Sequence, residues 1–181
     1  MKKFELTNEF VTNMFGTKLF RIRALVEFGD VEAGELGGYV EKESNLGHDD
    51  NAWVYDNAWV YGNARVSGDA RVYGNAWVYG DAQVSGDARV CGDARVCGNG
   101  DYAYAHGFGS VNRTTTFFRL KDGGVGVRCG CFYGTLAQFR DKIRETHGET
   151  KKAQEYLMLA DLMELRFEED ENEVGNRKYV E

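Results

Sequence analysis

The chain has no proline among its 181 residues, and only four cysteines and three histidines. Its 23 glycines therefore cannot belong to a Pro/Gly-rich linker; they point to turns that recur with one geometry. Long apolar runs are missing too, which excludes a helix able to span a bilayer. The opening Met1-Lys2-Lys3-Phe4-Glu5 carries charge with no apolar stretch behind it, so it does not read as a secretory signal. Cys91, Cys97, Cys129 and Cys131 fit reduced thiols, and the expected compartment is the cytoplasm. Positive charge is scarce: 22 Lys+Arg against 29 Asp+Glu leaves −7, which argues against a general nucleic-acid coat protein. The remaining composition, 43% hydrophobic and 28% charged, is that of an ordinary globular chain of one domain.

A repeat dominates what is present. From Asn51 to Gly98 the chain runs through eight consecutive six-residue units with no insertion. Each carries a valine, from Val54 and Val60 to Val90 and Val96, and an alanine two residues before it, from Ala52 to Ala94. Residues i and i+2 point to the same side of an extended strand, so each unit offers one small and one branched side chain to an interior. Gly before the pair and Asn or Asp at its start supply a corner. A six-residue period keeps no constant face on a helix, so the units must be short strands wound into a solenoid.

These units resemble the hexapeptide repeat of left-handed parallel β-helices. The resemblance implies a triangular coil of three units, or 18 residues per turn, with stacked coils satisfying one another's main-chain groups. The expected fold is mainly β: a short left-handed parallel β-helix with an N-terminal strand cap and a C-terminal cap of one β-hairpin and two helices. Eighteen-residue stacking aligns Trp53, Arg71 and Arg89 beside Tyr55, Tyr73 and Cys91. It aligns Trp59, Trp77 and Arg95 beside Tyr61, Tyr79 and Cys97, and Arg65 with Gln83 beside Ser67 and Ser85. Trp59, Tyr61, Trp77 and Tyr79 are candidates for a subunit interface, where aromatic residues are enriched. Solvated stacking ladders with Arg–Trp contacts are the other reading. Many proteins of the resembled class are homotrimers, which makes a homotrimer the expected assembly.

Four segments follow: residues 1–35 as N-terminal cap, 36–106 as β-helix, 107–168 as α+β cap and 169–181 as an acidic tail. Leu36-Gly37-Gly38-Tyr39-Val40 and Leu46 look like a degenerate coil, and Gly47-His48-Asp49-Asp50 breaks its phase. Residues 18–28 read as one strand. After the repeat, Asn99-Gly100-Asp101-Tyr102 continues the spacing, with Gly100 and Tyr102 in the alanine and valine places. Residues 114–121 and 125–132 read as two strands joined by Asp122-Gly123-Gly124. Thr135-Leu136-Ala137-Gln138 has the form of a capping box opening a helix to about His147, with a second helix from about Glu149 to Phe167. The runs from Gly107 to Arg119, from Arg128 to Thr135 and from Glu145 to Gly148 resemble an uncharacterised family of hexapeptide-repeat proteins carried by phages and prophages of Gram-positive bacteria. That resemblance brings no reaction and no catalytic residue.

Three functional classes compete. Acyl transfer, the commonest activity on the resembled fold, would use acyl-CoA at subunit interfaces and a histidine base; His48 and His106 are placed for it, but the unbroken units leave no extruded loop. Metal chemistry needs three or four N/S ligands; Cys91 and Cys97 project from different faces, so no metal site and no cofactor is expected. Binding without chemistry is preferred. Arg113 and Arg119 bracket three threonines, with Ser110 and Asn112 before them, and arginine forks beside hydroxyls suit phosphate or carboxylate. A solvated outer strand face reads equally well. The expected ligand site is a subunit junction near His106, Ser110, Asn112, Arg113, Thr115 and Arg119. In a phage-encoded protein the expected role is to counter host defence, by sequestering a nucleotide messenger or covering a host protein, with no membrane partner.

Overall fold

The computed structural model describes residues 1–109 and 111–168. Its chain order begins with β1 (Phe4–Thr12), β2 (Lys18–Ala24) and β3 (Leu36–Val40). The repeat gives eight two-residue strands: β4 (Trp53–Val54), β5 (Trp59–Val60), β6 (Arg65–Val66), β7 (Arg71–Val72), β8 (Trp77–Val78), β9 (Gln83–Val84), β10 (Arg89–Val90) and β11 (Arg95–Val96). They stack as three parallel sheets, β4-β7-β10, β5-β8-β11 and β6-β9, each joining residues 18 positions apart: Trp53↔Arg71↔Arg89, Trp59↔Trp77↔Arg95 and Arg65↔Gln83. Every alanine and valine of the repeat is buried, at 0–1% exposure. The solenoid is thus a triangular parallel β-helix of three hexads per coil. Its corners use glycine because the chain turns at positive φ with the next coil directly beneath. At Gly68 φ is +72°, and an added Cβ would sit 2.9 Å from the Gly86 nitrogen.

The main-chain ladder has a direction, and the direction dictates the caps. Each coil donates N–H groups to carbonyls of the coil one turn later, as from Tyr55 to Val72 at 2.8 Å and from Tyr73 to Val90 at 3.0 Å. The first coil therefore presents carbonyls and needs donors; the last presents N–H groups and needs acceptors. Donors come from the degenerate coil and from side chains. Tyr39 donates to Ala58 and Glu41 to Val60, while Lys3 Nζ reaches the Ala52 carbonyl at 2.9 Å and Asn45 Nδ2 the Ala64 carbonyl at 2.7 Å. Acceptors come from Asn99 Oδ1 for Gln83 N–H at 2.8 Å, Thr116 Oγ1 for Arg89 N–H at 3.0 Å and Asp101 Oδ2 for Cys97 N–H at 3.0 Å.

The N-terminal cap is larger than the single strand expected over residues 18–28. β1 and β2 form an antiparallel hairpin, β2 pairs antiparallel with β3, and β3 pairs in parallel with β5, so one six-stranded sheet runs from hairpin to solenoid. β1 is irregular between Leu6 and Phe10, which breaks the alternation that would mark it in sequence. Val40, Leu46 and Val54 show the expected phase break between Leu46 and the first regular unit. This cap also buries Trp53, which points outward from its coil: its ring is fully buried against Phe28 at 5.3 Å and Phe4 at 6.2 Å. Trp53 presses on the main chain of β3, and a Cβ on Gly37 would lie 2.8 Å from its ring and 2.6 Å from the Val54 carbonyl.

The C-terminal cap is a four-stranded antiparallel sheet rather than one hairpin: β12 (Tyr102–Phe108), β13 (Arg113–Arg119), β14 (Val125–Cys129) and β15 (Phe132–Thr135) in sequential order. Asn99–Asp101 form a 3-10 turn, so Gly100 does not fill an alanine place; it has nothing near its missing Cβ, and Tyr102 opens β12. β13 serves two cores. Phe118 enters the solenoid core, while Phe117 packs under α1 (Leu136–His147) and α2 (Lys151–Phe167) with Phe139, Ile143 and Tyr156. Thr135 and Gln138 form the expected capping box, and Gly148 ends α1 at φ +55°. α2 begins after Thr150, whose hydroxyl accepts from Ala153 N–H at 3.3 Å. Among the described residues no helix is long and apolar enough to cross a membrane.

Closing the last coil also shields one thiol. Cys91 is buried, and burial pushes it from 9.0 up to about 11, against the opposing effects of the Tyr73 hydroxyl and Arg128. At pH 8 the folded chain should alkylate with iodoacetamide at the exposed Cys97 and Cys131 and not at Cys91, read by peptide mass mapping. Because the folded thiol holds its proton longer than the unfolded one, this group's stabilising contribution is complete at neutral pH and declines as pH rises toward about 11.

Candidate functional site

The β4-β7-β10 face meets the C-terminal sheet along a cleft of about 450 Å³. Solenoid stacking contributes Arg71 and Arg89 from successive coils, with the corner acids Asp69 and Asp87 beside them. The cap contributes His106 from β12, Arg113 and Thr114 from β13, and Gly130 from the β14–β15 turn. Gly130 has φ +57°, and any side chain there would collide with the Arg113 guanidinium, so glycine lets that group lie against the turn. Arg71 is tied to Asp30 at 2.5 Å. Desolvation raises the Asp30 carboxyl pKa, but the hydrogen bond and charge of Arg71, a main-chain hydrogen bond and the Tyr55 hydroxyl together outweigh it and leave the pKa lowered. Neither Arg89 nor Arg113 forms an ion pair with a described carboxylate. Two uncommitted guanidiniums thus face one cleft.

His106 Nδ1 lies 2.8 Å from Thr114 Oγ1 and 3.8 Å from Asp87 Oδ2. A hydrolytic relay needs acid and hydroxyl on opposite ring nitrogens. Here both approach the same nitrogen, so the trio does not form such a relay.

With this geometry in place, the comparison with known proteins is specific to the coil. The repeat is similar to the YdcK beta solenoid repeat, whose family model matches residues 64–80 and 82–98. The two matched stretches begin 18 positions apart, one turn of this solenoid, so the likeness concerns the coil and not the caps. No curated protein matches the chain.

The six residues expected to form a ligand site are distributed unevenly. His106 and Arg113 share the cleft. Asn112 is exposed in the left-handed region at φ +48°, turning the chain into β13. Ser110 lies outside the described residues. Thr115 is fully buried and donates to Cys129 Sγ at 3.2 Å on the helix side of the sheet. Arg119 is only 9% exposed, bonded to the Gly123 carbonyl at 3.1 Å and placed 5.3 Å over Phe167. Strand alternation sends Thr115 and Arg119 away from the solenoid, and a ligand in the cleft meets neither; Arg113, on the same side at the first position of β13, lies against the Gly130 turn and borders both the cleft and the helix side. Sequence reasoning missed Asp69, Arg71, Asp87, Arg89, Thr114 and Gly130 as site residues, although the 18-residue spacing already stacked Arg71 on Arg89.

The aromatic ladder lies on the neighbouring β5-β8-β11 face. Trp59 and Trp77 stack at 4.7 Å and 1°, Tyr61 and Tyr79 at 5.2 Å and 7°, and Arg95 sits 4.0 Å over Trp77. All four rings are half-buried. Burial pushes Tyr61 up to about 12, so its hydroxyl stays protonated at neutral pH. His48 serves the N-terminal cap, stacking on Phe4 at 4.4 Å while its Nδ1 accepts from Lys3 N–H at 3.2 Å.

Proposed function

We propose that this protein binds a small phosphate-bearing ligand of the nucleotide class in the cleft between solenoid and C-terminal sheet, without transforming it. The observation that supports this reading is the pair of unpaired guanidiniums, Arg89 and Arg113, converging with His106 and Thr114 on one cleft. Guanidinium forks suit phosphate oxygens. Asp69 and Asp87 in the same lining disfavour a bare polyanion but can accept hydrogen bonds from ribose hydroxyls or base amines, as acidic residues do in dinucleotide sites. The reading includes the finer resemblances: a hexapeptide-type, phage-carried protein, acting as a homotrimer through the Trp59, Tyr61, Trp77 and Tyr79 face, that removes a nucleotide messenger used in host defence.

Isothermal titration with a panel of linear and cyclic nucleotides tests the binding claim. A ligand that binds should lose about ten- to a hundredfold in affinity with Arg89→Glu or Arg113→Glu, since each removes a charge-assisted contact. Both side chains are exposed, so the variants should melt within a few degrees of the parent. Nucleotides that fail to bind, or that bind both variants as tightly as the parent, would overturn the reading. Light scattering at micromolar concentration tests the trimer separately.

A further inference from the structure

We infer that the chain has a second ligand site, for a small amphipathic carboxylate, in a cavity on the opposite side of the C-terminal sheet. The cavity measures about 260 Å³ and opens between the β14–β15 turn and α1. Its size is just below the roughly 300–1,000 Å³ of pockets for drug-sized ligands, so its occupant is small. Phe132, Phe139 and Ile143 give it an apolar floor, and the cations Arg113 and Lys142 stand at its wall. Unlike the cleft, its lining contains no acidic residue. Outside the lining, Glu145 bonds Lys142 at 2.8 Å across an exposed helical turn. Such a surface pair contributes little and yields to a better-placed anion. An apolar floor under two cations, with no carboxylate in the lining itself, selects a ligand with one anionic head and a short apolar or aryl body. A nucleotide phosphate would find too little polar lining beyond the cations, and an uncharged hydrocarbon would leave the cations unanswered.

The cavity wall supplies its own reporter. Cys131 is exposed and lines this cavity, whereas Cys97, also exposed, belongs to the last coil of the solenoid. The experiment titrates the full chain with 4-phenylbutyrate, with butyrate and inorganic phosphate as controls, and follows iodoacetamide alkylation of both thiols by mass spectrometry. Saturating 4-phenylbutyrate should slow Cys131 at least about fivefold and leave Cys97 unchanged, since only the first thiol shares the cavity. Lys142→Glu, a change at an exposed helix position, should weaken 4-phenylbutyrate about tenfold by reversing one of the two charges. Failure of 4-phenylbutyrate to bind, equal binding of butyrate or phosphate, or an unslowed Cys131 would each overturn the inference. Arg113 borders both sites, so the titration uses nucleotide-free protein, where these outcomes are read apart from occupancy of the cleft.

Discussion

Replacing Lys3 with methionine should destabilise the folded chain by about 3–5 kcal/mol, the range for removing one partner of a buried ion pair. The ammonium is 3% exposed and makes three bonds: to the Asp50 carbonyl at 2.8 Å, the Ala52 carbonyl at 2.9 Å and Asp50 Oδ1 at 3.1 Å, with the Phe28 ring 4.6 Å away. Methionine keeps the length and apolar stem but answers neither carbonyl. Asp50 is also committed, since its other oxygen accepts from Gly68 N–H at 2.7 Å at a solenoid corner. The variant therefore leaves two carbonyls without that donor, and an Asp50 carboxylate that keeps only the main-chain N–H groups of Ala52 and Gly68 and no counter-charge, where the ladder begins. Burial depresses the Lys3 pKa below 10.5 more than Asp50 raises it. Unfolded lysine then holds its proton at a pH where the folded one releases it, so the parent's advantage over the variant widens as pH rises through the lowered value. Urea denaturation at neutral pH reads the main effect. A loss below about 1 kcal/mol would mean that water replaces the ammonium at this end.

Period decides what was legible in the sequence. The Ala–Val spacing of two set the interior, and the hexad folded three to a coil set which outward residues stack, down to Trp59 on Trp77. Neither spacing carries information about segments outside the repeat that fold back over it. Trp53 and Trp59 occupy the same place in successive units, yet one is fully buried and the other half-buried, because the N-terminal cap lays Phe4 and Phe28 over Trp53. The same limit governs the cleft. Strand alternation places Thr115 and Arg119 together on one side of β13, but it takes tertiary contacts, Thr116 with Arg89 and Phe118 with the solenoid core, to fix which side meets the solenoid. Arg71 and Arg89 become cleft residues when the C-terminal sheet lies along their face. Local motifs with self-contained hydrogen bonding, such as the Thr135–Gln138 capping box, needed no such contact and were legible outright.

That asymmetry makes one substitution behave differently at two equivalent positions. Trp53→Ala should cost about 3–5 kcal/mol, as expected for emptying a fully buried large aromatic site. The indole nitrogen of Trp53 has no hydrogen-bond partner among the described residues, so the loss is packing, against Phe4, Phe28 and the main chain of β3, and Trp53→Phe should recover a substantial part of it. Trp59→Ala removes a half-buried ring whose main contact is the stacked Trp77, and about 1 kcal/mol is expected for such a pair. Urea unfolding of the three variants at low protein concentration measures the contrast. Should Trp59→Ala cost as much as Trp53→Ala, with a loss that grows with protein concentration, the ladder is covered by another copy of the chain in solution. Equal losses at every concentration would instead place Trp59 in the folding core and contradict the one-sided cap.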